Sequence, residues 1–256
     1  FMELDLKKVS LDAYETGGEL TLTQEETAET IVPDYCPDIA RIIETDGKVY
    51  LHSRELRDGK AELSGTVRVT VLYTPDGESG VRTLEFAIPF TAESDSRALP
   101  GCQHLTAETE TEFLEARMLN PRKIFTHCKL VTHVTGYQSK PLEFCEDVEA
   151  EPGLQVEKRQ EEQHAILLTH IAEKDFTFTE EMNLSPGREG AAELLASQVS
   201  STVTETKIVG SKLIFKGIFA ISLLYRDLDG GCGSASAELP FSQIMEVEGA
   251  EEGSAA

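Results

Sequence analysis

Two aspartates, Asp34 and Asp38, lie close together on either side of Pro37. Carboxylates at such short spacing supply the oxygen ligands that a hard cation such as Ca²⁺ prefers. The same residue type also closes turns and caps helices by accepting backbone hydrogen bonds. Both interpretations are open from the sequence, and turn or cap hydrogen bonding is the simpler one.

Histidines and cysteines offer little else. His127 and His133 lie in one predicted strand at an even spacing, so they share a face about 20 Å apart at roughly 3.3 Å per residue, too far to share a metal. The five cysteines have no CxxC spacing, which predicts reduced thiols in a reducing compartment and no metal or cofactor. They are Cys36, Cys102, Cys128, Cys145 and Cys232.

Composition narrows the class of function. No P-loop, GxGxxG, GxSxG or HExxH motif occurs, so we expect no enzymatic activity. The 46 acidic residues against 23 basic ones give a net charge of -23, which disfavours binding to nucleic acid and to anionic lipid. Every apolar stretch is too short to cross a bilayer, and residues 1–11 lack the apolar core of a signal peptide.

An internal repeat organises the chain. Residues Gly59–Tyr73 align with Ser211–Tyr225 at a constant offset of 152 residues, with Gly65 on Gly217 and Tyr73 on Tyr225. A glycine in the middle of a strand usually marks a bulge or a close backbone approach. The match therefore predicts two copies of one β-rich unit.

Each copy has the same predicted elements. In copy one, three alternating strands, Lys48–Glu55, Lys60–Tyr73 and Val81–Phe90, are joined by Asp-Gly turns. Apolar spacing predicts one short helix per copy, Ile39–Glu44 and Glu189–Ala196, capped by Asp38 and Ser185. The predicted fold is mainly β, a tandem repeat of a small antiparallel β-domain, as sandwich or barrel, with one short helix per repeat.

We predict four segments: a first repeat over 1–102, a β-rich connecting region over 103–163, a second repeat over 164–249 and a disordered acidic tail over 250–256. Within the connecting region, Leu105–Arg117 and Ile124–Tyr137 alternate like strands. A turn over Asn120-Pro121-Arg122-Lys123 separates them. Whether this region is a separate unit is open, and 156–163 is the candidate for an inter-repeat linker or for an exposed strand that crosses between the repeats.

Several of these segments carry a family resemblance. Val32-Pro33-Asp34-Tyr35-Cys36-Pro37-Asp38-Ile39, the strand Gly59–Tyr73, Leu119–Ile124 and Glu238–Gln243 together resemble the SPOCS domain of endospore-forming Firmicutes. The pattern is similar to SipL-type proteins, in which SPOCS regions precede a LysM domain. The second copy has SPGREGA in place of PDYCPDI, so any function of that box belongs to the first copy.

The resemblance implies a non-enzymatic scaffold or adaptor in spore-coat morphogenesis, acting in the mother-cell cytoplasm at the forespore surface. The implied partners are spore coat or basement-layer proteins such as SpoIVA, with self-association also possible and no membrane insertion. The candidate partner-binding residues are Pro33, Asp34, Pro37 and Asp38. A glycan- or peptidoglycan-binding accessory module is the alternative, prompted by the LysM association.

Overall fold

The computed structural model describes residues 4–95, 97–150, 166–182 and 190–247, with a few isolated positions besides. These residues form antiparallel strands and no helix. The strands are β1 (Leu4–Leu11), β2 (Tyr14–Ile31), β3 (Ile39–Arg57), β4 (Lys60–Pro75), β5 (Arg82–Glu93), β6 (His104–Asn120), β7 (Lys123–Ser139), β8 (Leu142–Ala150), β9 (Ala191–Val209), β10 (Lys212–Asp227) and β11 (Cys232–Glu246). Since the described residues form no helix, they include no helix that is long and apolar enough to span a membrane.

Two three-stranded sheets form a β-sandwich in the first half of the chain. Sheet I has the order β3-β4-β5 and sheet II the order β2-β7-β6, with β3 lying against β6 and β5 against β2. Over almost their whole length, both central strands alternate between buried and more exposed residues, as half-buried strands require. The core between them is apolar and fully buried: Val67, Val69, Val71 and Tyr73 from β4, and Ile124, Cys128 and Leu130 from β7.

The connecting region is therefore divided. Its first two strands, β6 and β7, join β2 in sheet II, and a two-residue turn links them as predicted. Strand β8 pairs instead with β1 in a separate two-stranded ribbon. The predicted domain boundaries stay a prediction.

Sheet III, with the order β11-β10-β9, repeats sheet I in detail. Strand β3 has three register irregularities against β4, at Ile39/Arg41, Ile42/Glu44 and Leu51/Ser53. The irregularities of β9 against β10 involve the residues 152 positions later, Ala191/Glu193, Leu194/Ala196 and Val203/Glu205. Bulges at three equivalent places show that the two copies share backbone geometry as well as sequence.

The mid-strand glycines have the same role in both sheets. A Cβ on Gly65 would lie 2.5 Å from the Tyr50 carbonyl oxygen and 2.6 Å from the Phe90 ring. On Gly217 it would lie 2.4 Å from the Thr202 carbonyl oxygen and 2.5 Å from the ring of Phe241. Each glycine thus makes room for a phenylalanine from the neighbouring strand and sits opposite a bulge, as its position in the sequence predicted.

The prediction of one short helix per repeat is wrong. Residues 39–44 begin β3, and residues 191–196 begin β9. Two closely spaced bulges at each strand start place inward-facing residues three apart, at Ile39, Ile42 and Thr45 in the first copy. That spacing imitates helical periodicity. Ser185, the second predicted cap, lies outside the described residues, as do most of 156–163 and most of the tail.

Residues 172–182, here called the cover segment, run across one face of sheet III. Phe176 lies 5.9 Å from Phe241 between ring centroids, and Phe178 lies 5.2 Å from Phe219. Phe219 and Phe241 themselves stack at 4.4 Å. This aromatic cluster anchors the cover segment over β10 and β11.

Sheets I and III meet near the start of β9. Glu193 accepts hydrogen bonds from the Thr83 backbone N at 3.3 Å and from the Thr83 hydroxyl at 3.1 Å, while also pairing with Arg226 at 2.9 Å. Lys48 donates to the backbone oxygen of Ser197 at 2.6 Å. An open cleft of about 530 Å³ lies between the sheets. It is lined by charged residues, Asp46 among them, and by apolar residues.

Candidate docking site at the loop between β2 and β3

The sequence-predicted site residues lie together in one loop, residues 32–38, called the box loop here. It crosses from sheet II to sheet I, because it joins β2 to β3. Its ends are fixed in the core, with Val32 and Ile39 almost completely buried. A turn closes its middle, where the Cys36 backbone N donates to the Pro33 oxygen at 2.9 Å.

Arg122 holds the box loop from the β6–β7 turn. Its guanidinium donates to the Val32 carbonyl at 2.8 Å and to the Cys36 carbonyl at 2.7 Å. It also donates to the carboxylates of Asp38 at 3.1 Å and Asp34 at 3.3 Å. A planar fork of five N–H donors can satisfy several acceptors at once, which a lysine ammonium cannot do in the same geometry.

Backbone hydrogen bonds tie the loop to both neighbouring turns. Val32 N donates to the Arg122 oxygen and Ile39 N to the Pro121 oxygen, each at 2.9 Å. On the other side, Asp76 N donates to the Asp38 oxygen at 2.8 Å. The box and the Asn-Pro-Arg-Lys turn, two of the segments that carried the family resemblance, are therefore one structural unit.

Tyr73 lies beneath the loop and is fully buried. Its hydroxyl donates to the Pro37 carbonyl at 3.3 Å. The pKa of Tyr73 is raised to about 12, chiefly by burial and secondly by the neighbouring Cys36 sulfur. Burial also raises the pKa of the Cys36 thiol, so this cysteine is a neutral packing group at pH 7 and a poor nucleophile.

The outer surface of the box loop is different in character. Tyr35 is 87% exposed at the tip, and the Asp34 side chain beside it is fully open to solvent despite its bond to Arg122. Pro33 and Pro37 are only partly exposed and restrict the backbone. The loop thus presents one aromatic ring and two carboxylates, of which that of Asp34 is the more exposed, from a rigid support.

Cation binding by Asp34 and Asp38 has a physical competitor in this arrangement. Both carboxylates contact the positive guanidinium of Arg122. Among the described residues, no three His, Cys, Asp or Glu side chains are grouped as a metal site would require. Within the described ranges both side chains are ion-paired with Arg122, and neither accepts a backbone hydrogen bond of a turn or cap. The predicted cap role of Asp38 is wrong, because the residues that follow it form a strand.

The two histidines, His127 and His133, make side-chain contacts within sheet II. His127 Nε2 lies 3.1 Å from the Glu25 carboxylate, and His133 Nδ1 lies 3.2 Å from the Thr21 hydroxyl. Each ring thus contacts a different residue of β2, on the outer side of the sheet. The two histidines take part in cross-strand pairing and do not converge.

The sequence predicted the four box residues as candidates but did not predict Arg122 and Tyr35 as members of the same site. The sequence did point to Arg122, since its turn was one of the segments that resemble the family. It also pointed to Tyr35, because this residue lies between the two aspartates. The corresponding box positions of the second copy fall largely outside the described residues.

Comparison with known proteins places the chain. The family described as SipL, SPOCS domain, matches residues 38–119 and 190–256, and the two matched ranges begin 152 residues apart. A search of curated proteins found no match, and a search of solved structures found none either. The two matched ranges follow the two structural copies and together cover more than half of the sequence, so the chain belongs to the SipL, SPOCS-domain family.

Proposed function

We propose that this chain is a non-enzymatic scaffold or adaptor in spore-coat morphogenesis, and that it docks coat or basement-layer proteins through the box loop. Family membership supports a role related to sporulation. The observation that carries the docking role is the exposure of Tyr35 on a loop fixed by Arg122. An aromatic ring on a rigid support loses little conformational entropy on binding, and such rings are frequent hot spots of interfaces.

Charge indicates the kind of surface that would accept the loop. Asp34 adds a solvated carboxylate beside Tyr35, and the whole chain carries a net charge of -23. We therefore propose a partner surface with an apolar pocket for the ring and a basic rim for the carboxylate. A SpoIVA-type basement protein, met in the mother-cell cytoplasm at the forespore surface, is the partner we propose to test first.

The test uses the full chain as immobilised bait, first with lysate from sporulating cells and then with purified SpoIVA-type protein. We expect capture by the unaltered chain and at least about tenfold weaker binding by Tyr35→Ala, the loss of a typical hot spot. Leu228→Ala is the matched control, because Leu228 is a 64% exposed apolar residue of the β10–β11 turn and is not part of the box loop. Equal binding by both variants and the unaltered chain would exclude the box loop as the docking site.

The same preparations separate scaffolding from glycan binding. The glycan-binding alternative predicts that the chain sediments with purified spore cortex and that soluble cortex fragments release it. The scaffold proposal predicts no sedimentation with cortex, and capture of coat proteins that glycan fragments do not reduce. Sedimentation without protein capture would therefore reverse the assignment.

A further inference from the structure

The inner face of sheet III is almost uncharged although the chain is strongly acidic. In sheet I the equivalent face is the one buried against sheet II. By register, the charged residue of this face among the described residues is Asp227, which lies opposite Ala191 at the end of the sheet. The other members of the face are Leu194, Ser197, Val199, Ser201, Val203, Thr206 and Ile208 on β9; Leu213, Phe215, Gly217, Phe219, Ile221, Leu223 and Tyr225 on β10; and Gly233, Ala235, Ala237, Leu239, Phe241, Gln243 and Met245 on β11.

Only part of that face is covered among the described residues. The cover segment lies over β10 and β11, but three large residues of β9 remain open to solvent: Leu194 at 51%, Val199 at 54% and Val203 at 53%. In the first copy β6 lies over the equivalent strand, and Leu114 of β6 contacts the site of Gly47. A row of exposed aliphatic side chains on a largely apolar face is typical of a binding surface.

The cover segment pairs with no strand among the described residues. Its counterpart in the first copy, β2, is hydrogen-bonded to β7 along its whole length, from Tyr14 to Ile31. Residues 172–182 form no backbone ladder with any described strand. In the part of the chain that the structure describes, uncovered apolar side chains thus adjoin backbone groups that have no ladder partner.

The charged side chains of β2 and of the cover segment also differ in their partners. On the outer side of β2, Glu29 pairs with Lys123 and Glu25 with His127, both from β7. On the cover segment the exposed carboxylates Asp175 and Glu181 have no cationic partner among the described residues. A strand added beside the cover segment would meet these carboxylates with its outward-facing side chains.

We propose that this site binds a two-stranded antiparallel β-hairpin of a partner protein, with uncharged residues on its inward face and basic residues on the outward face of the strand that adjoins the cover segment. One strand of the hairpin pairs with the cover segment, and the other lies over the open residues of β9. The hairpin occupies the place that β6 and β7 take in the first copy. The inference deepens the proposed function and rests on it in taking the occupant to be another protein.

The size of the site suits such a hairpin. Two strands of about 16 residues make a layer about 10 Å wide and roughly 50 Å long, which covers about 500 Å² of the sheet. With an equal area on the hairpin the total is about 1,000 Å², the lower limit for a specific interface, and backbone hydrogen bonds to the cover segment add to the binding free energy.

The second copy also limits the size of one side chain of the hairpin. Gly47 leaves room for Leu114, since a Cβ there would lie 2.7 Å from a Leu114 methyl carbon. The equivalent residue of β9 is Val199, which fills that space. The hairpin must therefore carry a small residue opposite Val199.

The probe is a synthetic peptide of residues 103–140, the chain's own β6–β7 hairpin, made with Leu114→Ala and titrated into the full chain. We expect one peptide per chain, with at least about fivefold weaker binding by the unaltered peptide, whose Leu114 overpacks against Val199. Val199→Glu in the chain should weaken binding at least about tenfold. Val9→Glu is the control, because Val9 is 38% exposed on the β1–β8 ribbon.

Three results would overturn the proposal: no binding of either peptide, equal binding by the Val199→Glu and unaltered chains, or a concentration-dependent dimer that Val199→Glu abolishes. The last would assign the face to a second copy of the chain. None of them touches the box loop, so failure here is distinct from failure of the Tyr35→Ala test.

Discussion

Replacing Arg122 with alanine removes the side chain that joins the box loop to the β6–β7 turn. Two backbone carbonyls, those of Val32 and Cys36, lose hydrogen bonds from a charged donor, each typically contributing about 1.5–3 kcal/mol. The two ion pairs add at most about 1 kcal/mol together, since the Asp34 and Asp38 carboxylates are well exposed. The Arg122 side chain is 32% exposed, so water replaces part of what is lost.

We therefore expect Arg122→Ala to lower the free energy of unfolding by about 2–4 kcal/mol. Urea unfolding followed by far-UV circular dichroism measures the change. Arg122→Lys should fall in between, because an ammonium keeps the charge but cannot bond both carbonyls. Lys123→Ala is the control: it removes only a surface pair with Glu29, worth at most about 1 kcal/mol. If Arg122→Ala costs no more than Lys123→Ala, the idea that Arg122 organises the loop is refuted.

Three further predictions concern buried groups of the first sandwich. Gly65→Ala should destabilise by about 1–3 kcal/mol in urea unfolding, because its Cβ would overlap the Phe90 ring; no loss would contradict the close approach. In the folded protein the pKa of Tyr73 is raised from 10.0 to about 12, so the stabilisation that this shift contributes is complete below pH 10 and is lost as the pH rises from 10 to 12. The free energy of unfolding, measured as a function of pH, should fall over this range. Tyr73→Phe should make that fall smaller. Thiol labelling at pH 7.5 should modify the exposed Cys145 well before Cys36, whose pKa is raised by burial, and faster labelling of Cys36 would contradict its packing role.

The strand core could be predicted from the sequence because its signals are local. Alternation in Lys60–Tyr73 and the Asp58-Gly59 turn give β4 and its hairpin directly, and both turn residues have positive φ, at 51° and 77°. The offset of 152 residues extended the same result to β10. Periods of two are robust wherever one face of a sheet is buried.

The helix prediction failed for a reason that the sequence does not show. A bulge inserts one residue and shifts the inward-facing positions, so two bulges turned a period of two into a spacing of three at Ile39, Ile42 and Thr45. The pairing partner, β4, decides where a bulge occurs. Local apolar spacing in such a short segment therefore cannot distinguish a bulged strand from a helical turn.

The box loop was located but its organisation was not. Asp34 and Asp38 were chosen as candidates from their own neighbourhood, whereas their partner Arg122 is 84 to 88 residues away in the chain. Sheet topology brings the two segments together, because β2 pairs with β7 at the end where both turns lie. Likewise, the open face of β9 could not be predicted, since it depends on which strands cover it.

The affinity of purified SpoIVA-type protein for the full chain, measured by titration against Tyr35→Ala and Leu228→Ala, tests the scaffold account most directly. The account predicts saturable binding that Tyr35→Ala weakens at least about tenfold and that Leu228→Ala leaves unchanged. Thermal unfolding of the three proteins should coincide, because the Tyr35 ring lies in solvent. Saturable binding that is the same for all three proteins would contradict docking through the box loop, and no binding would contradict the proposed partner.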